Sequence, residues 1–265
     1  MPILTIKDLS IQFGGLKAVS NFNLTLDKGE LVGLIGPNGA GKTTVFNLLT
    51  GVYAPTAGTI EYADTAGKIW ALGGMKPWRI ARLGMTRTFQ NIRLFKKLSV
   101  IDNVRIAMHP TAHYSPFSAL LRLPSYWREE ARMEDEATDL LEIFGLEEKR
   151  DELASSLPYG EQRKLEIVRA MAAKPQILLL DEPAAGMNPQ ETQDLTKLIR
   201  SIRDRFGLTI LLIEHDMSLV MNICERILVL DYGELIAQGV PDEIRTNPKV
   251  IKAYLGEEVS IDAAH

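Results

Sequence analysis

The sequence predicts an α/β protein built on a mainly parallel central sheet, and three observations predict it. First, the runs ELVGLIG (30–36), QILLLDEP (176–183) and TILLIEHD (209–216) are nearly continuously apolar and end in polar residues. That is the pattern of central parallel strands covered on both faces. Second, the first run leads through a glycine-rich turn into apolar positions at helical spacing, Val45, Phe46, Leu48, Leu49 and Val52. Third, a polar, helix-periodic stretch from about Pro77 to Leu157 separates the first run from the other two.

The turn after the first strand is G-x-x-x-x-G-K-T, formed by Gly36, Pro37, Asn38, Gly39, Ala40, Gly41, Lys42 and Thr43, with Thr44 following. Small residues let the backbone wrap closely around an anion and present a row of N–H donors. The following helix adds its N-terminal partial positive charge. Lys42 is placed to reach the β- and γ-phosphates of a nucleotide and the Thr43 hydroxyl to bind Mg²⁺.

In parallel sheets ligands collect at the carboxyl ends of the strands. This rule brings the phosphate loop, Asp181 with Glu182, and His215 to one edge although they are far apart in the chain. Asp181 can hold Mg²⁺, Glu182 can polarise an attacking water, and His215 can steady the γ-phosphate and that water. An acidic pair after a strand, standing alone, would be read as a helix cap or a solvated turn, and a single histidine as structural. The phosphate loop reverses that reading, and it favours His215 over His109, His113 and His265.

Bulk properties exclude several classes. The chain has 265 residues and a formal charge of −4, which supplies no general basic field, so nucleic acid is not an expected partner. The single cysteine, Cys224, excludes a disulfide framework and a cysteine-based metal site, in keeping with a reducing compartment, and reads as core. No apolar run approaches the roughly 18 residues of a spanning helix. The start MPILTIKDLSIQF lacks the basic and apolar regions of a signal peptide, so export is not expected.

The segment 77–157 is read as an inserted helical subdomain. WREEARMEDEATDLLEIFGL carries Met133, Ala137, Leu140, Leu141 and Phe144 at helical spacing. Within the insert, HPTAHYSPFSALLRLPS (109–125), with three prolines, reads as loops or short helices, either a surface excursion or a docking surface.

LPYGEQRKLEIVRAMAAKPQILLLDEP (157–183) resembles the signature helix and Walker B strand of ATP-binding cassette ATPases. Other cassette elements follow in order: Phe13 in the position of the aromatic that stacks on adenine, Gln90 in TRTFQN as the Q-loop glutamine, and EHD as the histidine switch. RTFQNIRLFKKLSVIDNV, DEPAAGMNPQET, LLIEHDMSLVMNICERILVLDYGE and NPKVIKAYLGEE are similar to the ATP-binding subunit of branched-chain amino acid importers.

The resemblance implies a P-loop NTPase fold of the ABC type with an N-terminal antiparallel β region. It implies one domain over 1–256, with 1–76 and 158–256 as the core, 77–157 as the helical subdomain and 257–265 as a tail. It implies an ATPase using ATP and Mg²⁺, with catalytic Glu182, His215 and Lys42. The nucleotide would be held by Phe13, residues 36–44 and Gln90, and the metal by Thr43, Gln90 and Asp181. Tyr159, Gly160, Glu161 and Gln162 would close over ATP bound to a partner. The implied partners are two transmembrane permeases, a second cassette ATPase and an extracytoplasmic substrate-binding protein, with the chain peripheral on the cytoplasmic face of the cell membrane.

Two departures stand out. The common signature is Leu-Ser-Gly-Gly-Gln, whereas here Pro158 and Tyr159 follow Leu157. Many cassettes have Ser-Ala-Leu-Asp after Walker B, and this chain has Ala185, Gly186, Met187 and Asn188. A heterodimer could confine the altered signature to one of two unequal sites, so a heterodimer is expected.

A GTPase or small-molecule kinase would share the phosphate loop but not the signature helix, and no N-K-x-D motif is present. A soluble cassette protein of DNA repair or translation would call for long inserts or two cassettes. The ATPase of a urea or amide importer, or of a lipid exporter, shares all these motifs. After IKAYLG only a short stretch remains, so the added regulatory domain of many sugar-importer ATPases is not expected, and regulation, if any, is expected elsewhere in the complex.

Overall fold

The computed structural model describes residues 2–111 and 116–254, so His113, His265 and the tail 257–265 lie outside the described residues. The chain opens with the antiparallel pair β1 (Leu4–Phe13) and β2 (Leu16–Leu26). It continues through β3 (Leu31–Ile35), α1 (Lys42–Leu49), β4 (Ala57–Ala63), β5 (Ile69–Ala71), α2 (Pro77–Leu83) and β6 (Met85–Arg87). After α3 (Val100–Met108), α4 (Pro116–Leu120), α5 (Pro124–Ile143) and α6 (Tyr159–Ala172), it returns to strand at β7 (Ile177–Asp181). Then come α7 (Pro189–Phe206), β8 (Thr209–Ile213), α8 (Met217–Ile223), β9 (Arg226–Asp231), β10 (Glu234–Gly239) and α9 (Pro241–Thr246).

Two sheets form. One is antiparallel, in the order β2-β1-β4-β5, and supplies the expected N-terminal β region. The other has the order β10-β9-β3-β8-β7-β6, parallel except for the edge strand β10. Every residue of β3, β7 and β8 is buried, which is why these runs are apolar throughout instead of alternating. Alternate residues serve the two faces. Val32, Leu34, Leu179, Leu211 and Leu228 join Phe22, Phe46 and Tyr62 in one core cluster. Gly33 faces the other way, where an added Cβ would lie 3.0 Å from the Cys224 sulfur and 3.1 Å from Val220. Cys224 is thus a core residue, and burial pushes its thiol up to about 12.

The described residues divide into two compact units, residues 2–87 with 176–254, and residues 88–175. This division falls later in the chain than the expected 77–157. The helix α2 stays with the sheet unit because it packs on β6, and the Gly84 carbonyl after it accepts from the amides of Gln176 and Ile177. The signature helix α6 belongs to the helical unit because it packs against α3 and α5. The expected boundary, with 158–256 as core, placed this helix with the sheet instead. In the helical unit α5 buries Met133, Ala137 and Leu141 as its spacing predicted, while Leu140 is half-buried. Of the stretch 109–125, a short 3₁₀ turn (His109–Thr111), α4 and the start of α5 are described.

Candidate functional site

The phosphate loop needs glycine at two points above all. Gly36 has φ +149°, and a Cβ there would sit 1.9 Å from the Leu230 carbonyl of the neighbouring β9. Gly41 has φ +103°, and a Cβ would meet the Ala18 carbonyl at 2.6 Å. Both conformations are open to glycine and strained for other residues. The loop is braced from β9–β10, because the Gly233 amide donates to the Ala40 carbonyl at 2.9 Å. Lys42 starts α1, is buried, and donates from Nζ to the carbonyls of Gly36 at 2.6 Å and Pro37 at 2.8 Å. Asn38, Gly39 and Thr43 are exposed, so this part of the loop and the first turn of α1 are open to solvent.

Because β3, β8 and β7 are parallel neighbours, their carboxyl ends lie along one edge. The phosphate loop leaves β3, His215 follows β8, and Glu182 follows β7. His215 Nε2 and Glu182 Oε1 are 2.8 Å apart, and the Glu182 amide donates to the Ile213 carbonyl at 2.9 Å. Glu182 is held at φ +48°, a left-handed conformation that is uncommon outside glycine and concentrates at functional turns.

Asp181, the last residue of β7, forms a 2.6 Å ion pair with Arg87 of β6, both side chains being buried. Arg87 also donates to Asn47 Oδ1 of α1 at 2.7 Å and lies 5.3 Å from the Phe46 ring centre. One guanidinium thereby ties β6, β7 and α1 together. Arg87 lies in the same TRTFQN stretch as Gln90 but carries no local signal of this role, since its partner lies 94 residues away. The Asp181 carboxylate and Thr43 hydroxyl are hard oxygen donors of the kind Mg²⁺ takes.

Phe13 ends β1 half-exposed, with Tyr53 edge-on to it at 5.1 Å between ring centres. Asn188 has a structural task. It caps α7 in a reciprocal box, its Oδ1 accepting from the Glu191 amide while the Glu191 carboxylate accepts from the Asn188 amide, each at 2.9 Å.

Gln90 and residues 159–162 belong to the helical unit. Pro158 stands at the N-cap of α6 without a side-chain cap, and Gln162 Nε2 donates to the Leu157 carbonyl at 2.8 Å. Glu161 pairs with Lys149 at 2.6 Å. One turn on, the fully buried Arg163 donates to the carbonyls of Phe89 at 2.6 Å and Gln90 at 2.7 Å, to Glu166 at 2.8 Å and to the Tyr159 hydroxyl at 3.2 Å. Glu166 accepts in turn from the amides of Phe89 and Arg93. Burial raises the Glu166 carboxyl above the ordinary range against the pull of Arg163. The signature helix and the Gln90 loop are therefore one hydrogen-bonded body, and Tyr159 is part of it.

A glycine-framed phosphate loop, an acidic pair and a histidine on one parallel-sheet edge, with a signature helix in a second unit, define a nucleotide-hydrolysing cassette. The profile of the family described as "ABC transporter" matches residues 19–185, and that of "Branched-chain amino acid ATP-binding cassette transporter" matches residues 234–260. The chain belongs to the ABC transporter ATP-binding family, whose members are ATPases.

It is 52% identical over 256 residues to the high-affinity branched-chain amino acid transport ATP-binding protein LivG of Escherichia coli (strain K12), covering 97% of this chain and 98% of that one. It is 48% identical to BraF of Pseudomonas aeruginosa, with the same coverage and the same described role. The lipopolysaccharide export system ATP-binding protein LptB of Escherichia coli (strain K12) is 38% identical over 97% of this chain and 99% of its own. Among solved structures, the ADP conformation of MJ1267, an ATP-binding cassette of an ABC transporter, superposes with a TM-score of 0.82 at 29% identity, covering 97% and 99% of the two chains. No helix among the described residues is long and apolar enough to cross a membrane.

Proposed function

We propose that this chain is the ATP-hydrolysing subunit of an importer for branched-chain amino acids. The observation that carries the hydrolytic part is the 2.8 Å contact of His215 with Glu182 on the edge that also bears the phosphate loop. The substrate class is supported by the match of residues 234–260 and by the 52% identity to a branched-chain amino acid transport protein.

In this reading backbone amides of the loop between Gly36 and Thr44, together with Lys42, hold the β- and γ-phosphates, and Phe13 stacks on adenine. Thr43 and Asp181 would hold Mg²⁺, which would supply neutralising charge to the phosphate oxygens. Glu182 accepts the proton of the attacking water, and His215 orients that carboxylate and donates toward the γ-phosphate. Residues 159–161 at the start of α6 present amides to a nucleotide on the partner cassette, with Gln162 beside them, its own amide bonded to the Pro158 carbonyl. Loss of that shared ligand parts the cassettes, and Gln90 relays the change within the helical unit.

The partners in this proposal are two permeases, a second cassette that completes a heterodimer, and an extracytoplasmic binding protein. The chain is peripheral on the cytoplasmic face of the membrane and does not use nucleic acid.

The test is Glu182→Gln, which keeps the shape and removes the basic carboxylate, so ATP binding persists while turnover falls by orders of magnitude. Tagged variant drawn from detergent-solubilised membranes with ATP present is expected to bring down two permeases and a second cassette. Near-normal hydrolysis would remove Glu182 from the mechanism, and recovery of soluble nucleic-acid machinery alone would overturn the transport role.

A further inference from the structure

The residue between β8 and His215 is a glutamate, Glu214, and it is almost fully buried. Its two carboxylate oxygens reach different loops. Oε1 accepts from the Ala184 amide at 2.6 Å, two residues beyond Glu182, and Oε2 accepts from the His215 amide at 3.1 Å. The Asp216 amide also donates to it. A buried carboxylate is costly unless such donors meet it, and the preceding strand residues Leu211, Leu212 and Ile213 are all apolar. A residue needed only to fill this space would be apolar as well.

We propose that Glu214 is a positioning residue for ATP hydrolysis, a buried clamp that holds the Glu182 turn and the His215 loop at their 2.8 Å contact. The proposal rests on the reading of Glu182 and His215 as the hydrolytic pair. Three observations meet in it. Glu182 sits in a left-handed conformation that only over-determined surroundings maintain. One bond, from its amide to the Ile213 carbonyl, fixes the turn from the strand side. The Ala184 amide bonded to Glu214 fixes it from the far side, so the strained residue is pinned before and after its side chain. Because the same carboxylate accepts from the His215 amide, the base and its histidine are set by one rigid group and not by two loops moving separately.

Burial raises the Glu214 carboxyl, and the nearby Glu182 charge adds to this, while the amides of Ala184, His215 and Asp216 oppose it. Three backbone amides converge on the two Glu214 oxygens, so the site calls for acceptors alone. A protonated or amide side chain would turn one oxygen site into a donor that faces an N–H.

The experiment compares Glu214→Ala, Glu214→Gln and Glu182→Gln in the full chain, with ATP affinity from a fluorescent ATP analogue, kcat and KM from phosphate release, and thermal melting. Displacing catalytic groups by about 1 Å costs roughly 100-fold in rate, and that loss in kcat is expected for Glu214→Ala. Glu214→Gln should fall between it and the native chain, because one acceptor survives. ATP affinity should change less than about threefold in both, since the phosphate loop on β3 is not bonded to Glu214.

If Glu214→Ala fails to fold, Glu214→Gln decides. Native kcat in that variant, or loss of kcat and ATP affinity together, would overturn the proposal while inactive Glu182→Gln left the hydrolytic reading standing. An active Glu182→Gln would instead bring down that reading.

Discussion

Replacing Arg163 by methionine removes a fully buried guanidinium while keeping a chain of similar length in its place. Four hydrogen bonds disappear, two to the carbonyls of Phe89 and Gln90 at 2.6 and 2.7 Å, one to Glu166 at 2.8 Å and one to the Tyr159 hydroxyl at 3.2 Å. Breaking a buried pair by removing one partner costs about 3–5 kcal/mol, because the remaining charge stays buried without compensation. The two orphaned carbonyls push the loss toward the upper end. Protonation of Glu166 limits it, since burial already raises that carboxyl.

The sign follows from that direction. The folded state holds the Glu166 proton more tightly than the unfolded state, so this group costs nothing where both states are protonated. The cost grows as pH rises from the ordinary glutamate value toward the raised folded value, and is complete above it. Thermal and urea unfolding of Arg163→Met should therefore show a loss of about 3–5 kcal/mol near pH 7.5, on the order of 10 °C in Tm, and a smaller loss near pH 5. Adding Glu166→Gln should recover part of it at the higher pH. A loss below about 1 kcal/mol at pH 7.5, or the same loss at both pH values, would refute the claim that this pair holds the Gln90 loop to α6.

Restoring the serine and first glycine of the common signature with Pro158→Ser and Tyr159→Gly, which gives Leu-Ser-Gly-Gly-Glu, should alter single-site turnover in the reconstituted pair of cassettes, and unchanged turnover would end the argument for unequal sites. The same change removes the Tyr159 hydroxyl that accepts from Arg163, so a stability loss of about 1 kcal/mol should accompany it in urea unfolding. Phe13→Ala should weaken ATP binding by the roughly 0.5–1.5 kcal/mol of a lost aromatic contact, read by titration, and unchanged affinity would remove the stacking role. The Cys224 thiol, raised to about 12 and buried behind Gly33, should resist alkylation at pH 8 until the chain unfolds. Rapid labelling of native protein would contradict the packing.

Much of the site is legible in the sequence because its chemistry is local. A loop that must bring backbone amides to phosphate needs glycine at Gly36 and Gly41, lysine at Lys42 and a hydroxyl at Thr43 in one contiguous stretch. Continuous apolar runs give away β3, β7 and β8, and the strand-end rule brings Glu182 and His215 to the loop's edge. Phe13 and Gln90 carry no such local pattern and were found only through resemblance. In the sequence Asn188 stands only as a departure from the common Asp, and its use as a helix cap is visible in the reciprocal bonds with Glu191.

What the sequence determined by itself is the fold class, the phosphate loop and the acid and histidine at the ends of its apolar strands, since each rests on a contiguous motif or on the rule that ligands collect at parallel-strand ends. The tertiary structure decided the partners of buried charge: Arg87 with Asp181 across 94 residues, Arg163 with Phe89 across 74 and Glu214 with Ala184 across 30. It also decided that the signature helix joins the helical unit. The reason is physical. A charge must find its counterpart only where folding removes water from it, and which groups meet there depends on strand order and helix packing, which no local pattern records.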